Sequence, residues 1–233
     1  MEAVILAGGK GTRLQPYTNE TPKPLVPIGN TPIIEILLRT LRRSGVTRVH
    51  LAVNHLAHLI MAVLGDGREL GLEINYTAED QPLSTIGPLT LIKNLPEQFI
   101  VANGDIITDL NIAELWESHV RSRALVTVAT QRRTEKIDFG VLEANAENQV
   151  TGFCEKPEYS FAVSMGLYVF SREVLRYVPA GQPFGFDQLI LELLKQNQKV
   201  MQYPYSGFWL DIGRPDDYER AQHDQDKILR MLE

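Results

Sequence analysis

The sequence predicts an α/β fold built on a parallel sheet covered by helices, and three observations predict it. Short apolar runs alternate with helix-patterned stretches from the start of the chain, in the order β, α, β, α, β. The first run, Val4-Ile5-Leu6, breaks into the glycine-rich turn Gly8-Gly9-Lys10-Gly11. A later run, Phe99-Ile100-Val101-Ala102, ends in Asn103-Gly104-Asp105, which puts a carboxylate where open α/β sheets place their ligands.

Composition narrows the function. With 233 residues, 44% of them hydrophobic, the chain can bury a sizeable core without a metal or disulfide staple. A net charge of −6 argues against a nucleic-acid partner, which needs a basic face. A polyanionic small molecule must then be held by a few placed cations or by metal. Cys154 is the single cysteine, so no intramolecular disulfide forms; it alternates with Glu155 and reads as a small buried hydrophobe. There is no basic leader with an apolar core, and no apolar stretch of the ~20 residues that span a bilayer. The expectation is a cytoplasmic protein with no membrane partner.

Along the chain, residues 32–43 read as a helix with Thr31 as N-cap, Pro32 at its first position and Ile33, Ile34, Leu37, Leu38 and Leu41 as its apolar stripe. A strand over 48–53, a helix over 56–64 and a strand over 72–76 follow. His55 and His58 have no third ligand spaced to join them and read as ordinary helix-start residues. Residues 78–91 form a polar loop running into a short helix, and Asp109 reads as the cap of a helix beginning at Ile112. Residues 124–130 are a strand, and 138–143 with 150–157 form a hairpin-like pair beside the sheet. A strand over 162–170, a helix over 186–196, a strand over 200–203 and a last helix begun by Asp216-Asp217 complete the pattern.

The opening turn is the most informative stretch. Gly8, Gly9 and Gly11 let the backbone turn sharply and present bare N–H groups, and Arg13 and Lys23 add cations at the same strand end. That is a phosphate-binding arrangement. Two common phosphate loops do not fit: Leu14 stands where a dinucleotide fingerprint needs its third glycine, and no G-K-[ST] follows.

The run Leu6-Ala7-Gly8-Gly9-Lys10-Gly11-Thr12-Arg13-Leu14, with Pro16 and then Pro22-Lys23-Pro24-Leu25-Val26-Pro27, resembles the signature of sugar-1-phosphate nucleotidyltransferases, also called NDP-sugar pyrophosphorylases. The short mannose-1-phosphate guanylyltransferase-like members are the most similar. The resemblance extends to Glu79 through Pro88, Gly104-Asp105, Glu155-Lys156-Pro157 and Trp209-Leu210-Asp211-Ile212-Gly213. It implies one three-layer α/β/α, Rossmann-like domain over 1–233 with a mixed, mostly parallel sheet, in which about 1–110 bind nucleotide and about 111–233 bind sugar phosphate.

The resemblance also implies residue roles. Leu6, Ala7, Gly8, Gly9, Gly11 and Thr12 would bind the nucleotide, the amides of Gly8 to Gly11 holding its phosphates, and Glu79, Thr85 and Gly87 would read the base. Arg13, Lys23 and Lys156 would be the catalytic cations. Gly140, Glu155, Lys156 and Ser164 would hold the sugar phosphate. Asp105 and Asp211 would bind Mg²⁺. Ser84 stands where the family has glycine, Ile86 and Pro88 replace small residues, and Ser164 replaces a common asparagine. The implied reaction joins an NTP to a sugar 1-phosphate, with GTP and a mannose- or heptose-type sugar favoured. UTP- or dTTP-dependent transfer and a non-catalytic sugar-nucleotide-binding regulatory subunit are the alternatives. No heptad or long apolar helix marks an interface, which leaves a homo-oligomer open.

Overall fold

The structure, a computed structural model, describes residues 1–232. Strand β1 (Glu2–Ala7) lies inside the main sheet, and its side chains alternate between two cores. Ala3, Ile5 and Ala7 face one side, Val4 the other. A short antiparallel pair, β2 (Pro27–Ile28) and β3 (Thr31–Pro32), leads into α1 (Ile33–Arg43). This corrects the expected cap: Thr31 is held extended in the pair, and Pro32 takes the cap position with no side-chain bond. The expected single stripe of α1 is also split. Ile34, Leu37, Leu38 and Leu41 face the sheet, while Ile33 and Ile36 enter a separate apolar cluster.

Strand β4 (Arg48–Val53), helix α2 (Ala57–Leu64) and strands β5 (Glu73–Ala78) and β6 (Gln98–Asn103) extend the parallel sheet. Then come β7 (Ile106–Thr108), α3 (Ile112–Ser122), β8 (Val126–Lys136), β9 (Gly140–Ala144), β10 (Val150–Glu155) and β11 (Glu158–Ser171). Helix α4 (Phe186–Lys195), strands β12 (Val200–Tyr205) and β13 (Trp209–Asp211), and helices α5 (Pro215–His223) and α6 (Gln225–Arg230) follow. The sheet has seven strands in the order β12-β8-β11-β6-β1-β4-β5, and only β11 runs against its neighbours. Helices α1 to α3 pack on one face and α4 on the other, giving three layers and the expected α/β class.

Three further expectations need correction. Asn111 caps α3, its side-chain oxygen accepting the Ala113 N–H at 3.1 Å. Asp109 instead accepts the Phe208 N–H at 2.8 Å and the Tyr205 hydroxyl. Cys154 is exposed, because β9 and β10 form a separate two-stranded ribbon that leaves its position uncovered. The terminal helix is two helices, α5 and α6, meeting at Asp224.

Strands β8 and β11 are also longer than their apolar cores. Their inner halves lie in the sheet, while residues 132–136 and 158–162 run on as an exposed antiparallel ribbon. That ribbon and the β9–β10 hairpin together form an arm.

Candidate active site

The carboxyl ends of β1, β4 and β6 meet at a cavity of about 530 Å³. Its floor is the turn after β1, and it is lined by Leu6, Ala7, Gly8, Gly9, Gly11 and Thr12. Among the described residues no acceptor takes the N–H groups of Gly9, Lys10, Gly11 or Thr12, so the turn presents free donors to the cavity. Gly11 has φ +65°, and a Cβ there would press on Lys23 and Thr18 at 3.0 Å. The Thr18 hydroxyl locks the turn by donating to the Gly11 carbonyl at 2.8 Å. Arg13 and Lys23 also line the cavity.

Glu79 and Thr85 line the cavity as well. The Glu79 carboxylate accepts the Leu83 N–H at 2.9 Å, and burial pushes its pKa up. It lies so close to Gly8 that a Cβ there would sit 2.6 Å from Oε1. The Thr85 hydroxyl also accepts the Phe186 N–H at 2.9 Å. Gly87 is placed differently. It does not line the cavity, its N–H goes to the Phe184 carbonyl at 3.1 Å, and a Cβ there would meet the Gln182 carbonyl at 2.6 Å. Ser84 lines the cavity with φ +64°, a conformation that the glycine common in the resembled family adopts without strain.

The two aspartates come from 106 residues apart and meet through a short ladder. Strand β13 pairs antiparallel with β7, setting Asp211 opposite Ile106, and the Ile212 N–H bonds the Asp105 carbonyl at 3.0 Å. Lys23 forms an ion pair with Asp105 Oδ2. Asp105 Oδ1 is buried and has no hydrogen-bond partner among the described residues. Burial and the like charge of Asp105 raise the pKa of Asp211, while Lys23 and Arg13 oppose that shift. Two adjacent carboxylates, one with an orphaned oxygen, fit a divalent cation that takes only one or two protein carboxylates. Among the described residues no group of three or more His, Cys, Asp or Glu could hold a metal, so any other ligands come from elsewhere.

The remaining four residues lie off the cavity lining. Gly140 and Glu155 are register partners on the hairpin, and a Cβ at Gly140 would lie 2.6 Å from the Phe153 ring and 3.1 Å from Glu155 Oε2. Lys156 ends the hairpin with φ +46° directly before Pro157, a costly conformation of the kind that collects at functional sites. Ser164 sits at an irregularity in the β8–β11 register, donating to the Tyr168 hydroxyl at 3.1 Å and accepting the Gly166 N–H at 3.3 Å. That irregularity touches the cavity wall, since a Cβ at Gly166 would meet Asn103 Nδ2 at 2.6 Å. The Trp209 indole ties it to β13 by donating to the Met165 carbonyl at 2.9 Å.

Sequence reasoning passed over Asn54 and Asn103, which line the cavity one residue past β4 and at the end of β6. Their place at the carboxyl ends of parallel strands was the available signal. It also passed over Tyr168, whose pKa is raised by burial and further by Asp211 and Asp105, with its bond to Ser164 opposing. Nothing in an apolar strand marks one tyrosine as facing a carboxylate pair.

Comparison with known proteins supports the fold and the family. A mannose-1-phosphate guanylyltransferase of Mycobacterium tuberculosis is 33% identical over 230 residues, covering 96% of this chain and 64% of that protein. The chain thus spans less than two thirds of the length of that curated relative. HddC from Yersinia pseudotuberculosis superposes with a TM-score of 0.74 at 26% identity, covering 96% of this chain and 98% of the other. The same protein complexed with GMP-PN gives 0.71 at 25%, over 96% and 98% of the two chains. A putative glucose-1-phosphate thymidylyltransferase from Bacillus anthracis gives 0.76 at 26%, covering 96% and 94%. The model of the nucleotidyl transferase family matches residues 2–227, from the strand that carries the glycine turn to the helix beyond Asp211, and the chain belongs to that family.

Proposed function

We propose that the protein transfers a nucleotidyl group from an NTP to a sugar 1-phosphate, releasing pyrophosphate. The observation that carries this reading is that Lys23 and Asp105 line a cavity floored by free backbone N–H groups, with Asp211 set beside Asp105. The chain would act as one nucleotidyltransferase domain, with residues 1–110 on the nucleotide side and 111–233 on the sugar side.

The nucleophile is a phosphate oxygen of the sugar 1-phosphate, already anionic at neutral pH, so no side chain need remove a proton. It forms a bond to the α-phosphorus as the bond to the oxygen bridging α and β breaks. The difficulty is electrostatic: two polyanions must meet, and charge builds at the α-phosphate. Arg13 and the N–H groups of the opening turn hold the phosphates that depart. Lys23 neutralises the α-phosphate, and Lys156 aims the incoming phosphate, with Gly140, Glu155 and Ser164 on the sugar. Asp105 and Asp211 would hold Mg²⁺, which would supply charge neutralisation to the phosphates.

Glu79 supports guanine as the base. A carboxylate accepts two adjacent N–H donors, which guanine offers at N1 and N2. Uracil and thymine offer one N–H flanked by two carbonyls, which would face the carboxylate unfavourably. Of the proteins named above, one is a mannose-1-phosphate guanylyltransferase and one was solved with GMP-PN, which support GTP and a mannose- or heptose-type sugar, whereas the putative glucose-1-phosphate thymidylyltransferase favours the dTTP alternative. A reducing, cytoplasmic setting suits the free, exposed Cys154, and no helix among the described residues is long and apolar enough to cross a membrane.

Pyrophosphate release over a matrix of NTPs and sugar 1-phosphates tests the reading. Turnover is expected with GTP and a mannose- or heptose-type 1-phosphate, and is expected to vanish in EDTA. Turnover confined to UTP or dTTP would replace the base assignment, and no turnover with any pair would overturn the activity.

A further inference from the structure

Asn54 follows directly on β4 and stands half-buried in the cavity wall. The parallel register places it. Ala7, Val53 and Ala78 are partners across β1, β4 and β5, so Gly8, Asn54 and Glu79 come next in one row. Neighbouring strands stand about 4.8 Å apart, which sets Asn54 between the glycine turn and the Glu79 carboxylate. A Cβ at Gly8 would sit 3.3 Å from the Asn54 Cβ and 2.6 Å from Glu79 Oε1, so the three positions meet on one face.

The row is an acceptor edge. Asn54 Nδ2 donates to the Glu79 carbonyl at 3.4 Å, and because a carbonyl only accepts, that bond fixes which end of the amide is oxygen. Among the described residues no donor takes Asn54 Oδ1. The buried side-chain atoms there without a partner are Arg48 Nε and Asp105 Oδ1, so the Asn54 oxygen is open to the cavity. The Glu79 carboxylate is oriented in turn by the Leu83 N–H, which its Oε2 accepts at 2.9 Å. The row thus offers a carboxylate and, next to it on the side of the phosphate turn, a neutral oxygen.

We infer that Asn54 reads the 2-amino group of guanine and sets base specificity together with Glu79. This rests on the proposed transfer from GTP. Guanine carries one N–H at N1 and two at N2, and a carboxylate takes the first with the nearer of the others. The remaining N2–H points toward N3 and the ribose. A nucleotide with its N1 edge on Glu79 and its phosphates on the glycine turn runs along the row, and that hydrogen falls over Asn54. Glu79 then separates guanine from the pyrimidines, whereas Asn54 separates it from hypoxanthine, which keeps the N1–H but lacks the amino group.

Calorimetric dissociation constants for GTP and ITP, with wild type and Asn54→Ala, test the inference without requiring turnover. Both nucleotides present N1–H to Glu79, and only GTP presents the amino group. Asn54→Ala should weaken GTP about 3–10-fold, the contribution of one neutral hydrogen bond, and move ITP by less than about twofold. Retained ITP binding also shows that the variant is folded. N2-methyl-GTP adds a gain to look for: the wild type should disfavour the methyl group relative to GTP, and the variant, with space opened at residue 54, should narrow that gap. Equal weakening of GTP and ITP would make Asn54 a brace for the Glu79 segment, and an unchanged GTP constant would remove it from the base; either overturns the inference. A wild type that binds GTP without turning it over fails the proposed transfer alone. One that binds UTP or dTTP and not GTP overturns the base assignment and the inference together.

Discussion

The cavity and the arm are built on opposite plans. Around the cavity, each proposed functional group hangs from the end of a buried strand or from a turn locked to one, as Thr18 locks Gly11. On the arm, Gly140, Glu155 and Lys156 sit on a two-stranded ribbon outside the seven-stranded sheet. A triphosphate is a common chemical feature that rewards rigid, preorganised donors. A sugar is the variable one, and a ribbon whose side chains pack on little else can change them at small cost to stability. The contrast predicts that changes in the cavity cost turnover, while changes in the arm cost recognition of the sugar.

The sharpest test sets Lys23→Ala and Asp211→Asn against Lys156→Ala. The first two should each lower kcat by about 10²–10³, as removing a transition-state electrostatic partner does. Lys156→Ala should act mainly on the KM for sugar phosphate, and equal loss of kcat in all three would erase the distinction. Because the Asp211 pKa is raised above the ordinary carboxylate range, its charged form is lost early on acidification. Cation binding and activity should then fall at a higher pH than an unperturbed aspartate would dictate, which a titration of metal affinity checks.

Glu79→Gln should shift preference from guanine toward uracil or thymine by about 10–100-fold, the worth of one bidentate base contact. Competition between GTP and UTP measures it, and an unchanged ratio removes Glu79 from base reading.

His119 braces the ends of β8 and β11 that lie farthest from the arm, contacting Thr127 at 2.8 Å and Ser171 at 3.1 Å. Burial pushes its pKa down to about 4. The unfolded chain then binds a proton below about pH 6.5 that the folded chain refuses. The contribution is complete above that pH and is lost as pH falls toward 4. Urea unfolding should show about 2 kcal/mol less stability at pH 5 than at pH 7 from this group. His119→Gln should flatten the slope, and a slope unchanged in the variant would assign it elsewhere.

The smallest effects compare two glycines. Gly8→Ala should raise the KM for NTP about tenfold, ~1.4 kcal/mol, by pushing on Glu79. Gly140→Ala should do the same to the KM for sugar phosphate by displacing Phe153 and Glu155, leaving the NTP value unchanged. Steady-state kinetics with each substrate varied would show whether the two sides are separable.

The α/β class, the parallel core strands and the glycine turn were legible because they rest on local facts: apolar runs of strand length, helix periodicity and glycine spacing. Asp105 was legible for the same reason, as a carboxylate placed directly after a buried strand. One misreading arose where a residue's partners lie far along the chain: Asp109 looked like a cap but is satisfied by Phe208 and Tyr205. Another was local, since Thr31 pairs with Ile28 across a tight turn that holds it extended before the helix begins. Cys154 followed an alternation that normally marks a half-buried strand, but no layer covers its ribbon.

By itself, then, the sequence determined where strands end and which charged residues stand at those ends, since backbone turns and side-chain periodicity are local properties. Only the tertiary structure decided that β13 returns to β7 and sets Asp211 beside Asp105, that Glu79 rests against Gly8, and that the arm stands clear of the sheet. Those outcomes depend on long-range pairing and on which faces find a covering layer, and no window of neighbouring residues encodes either.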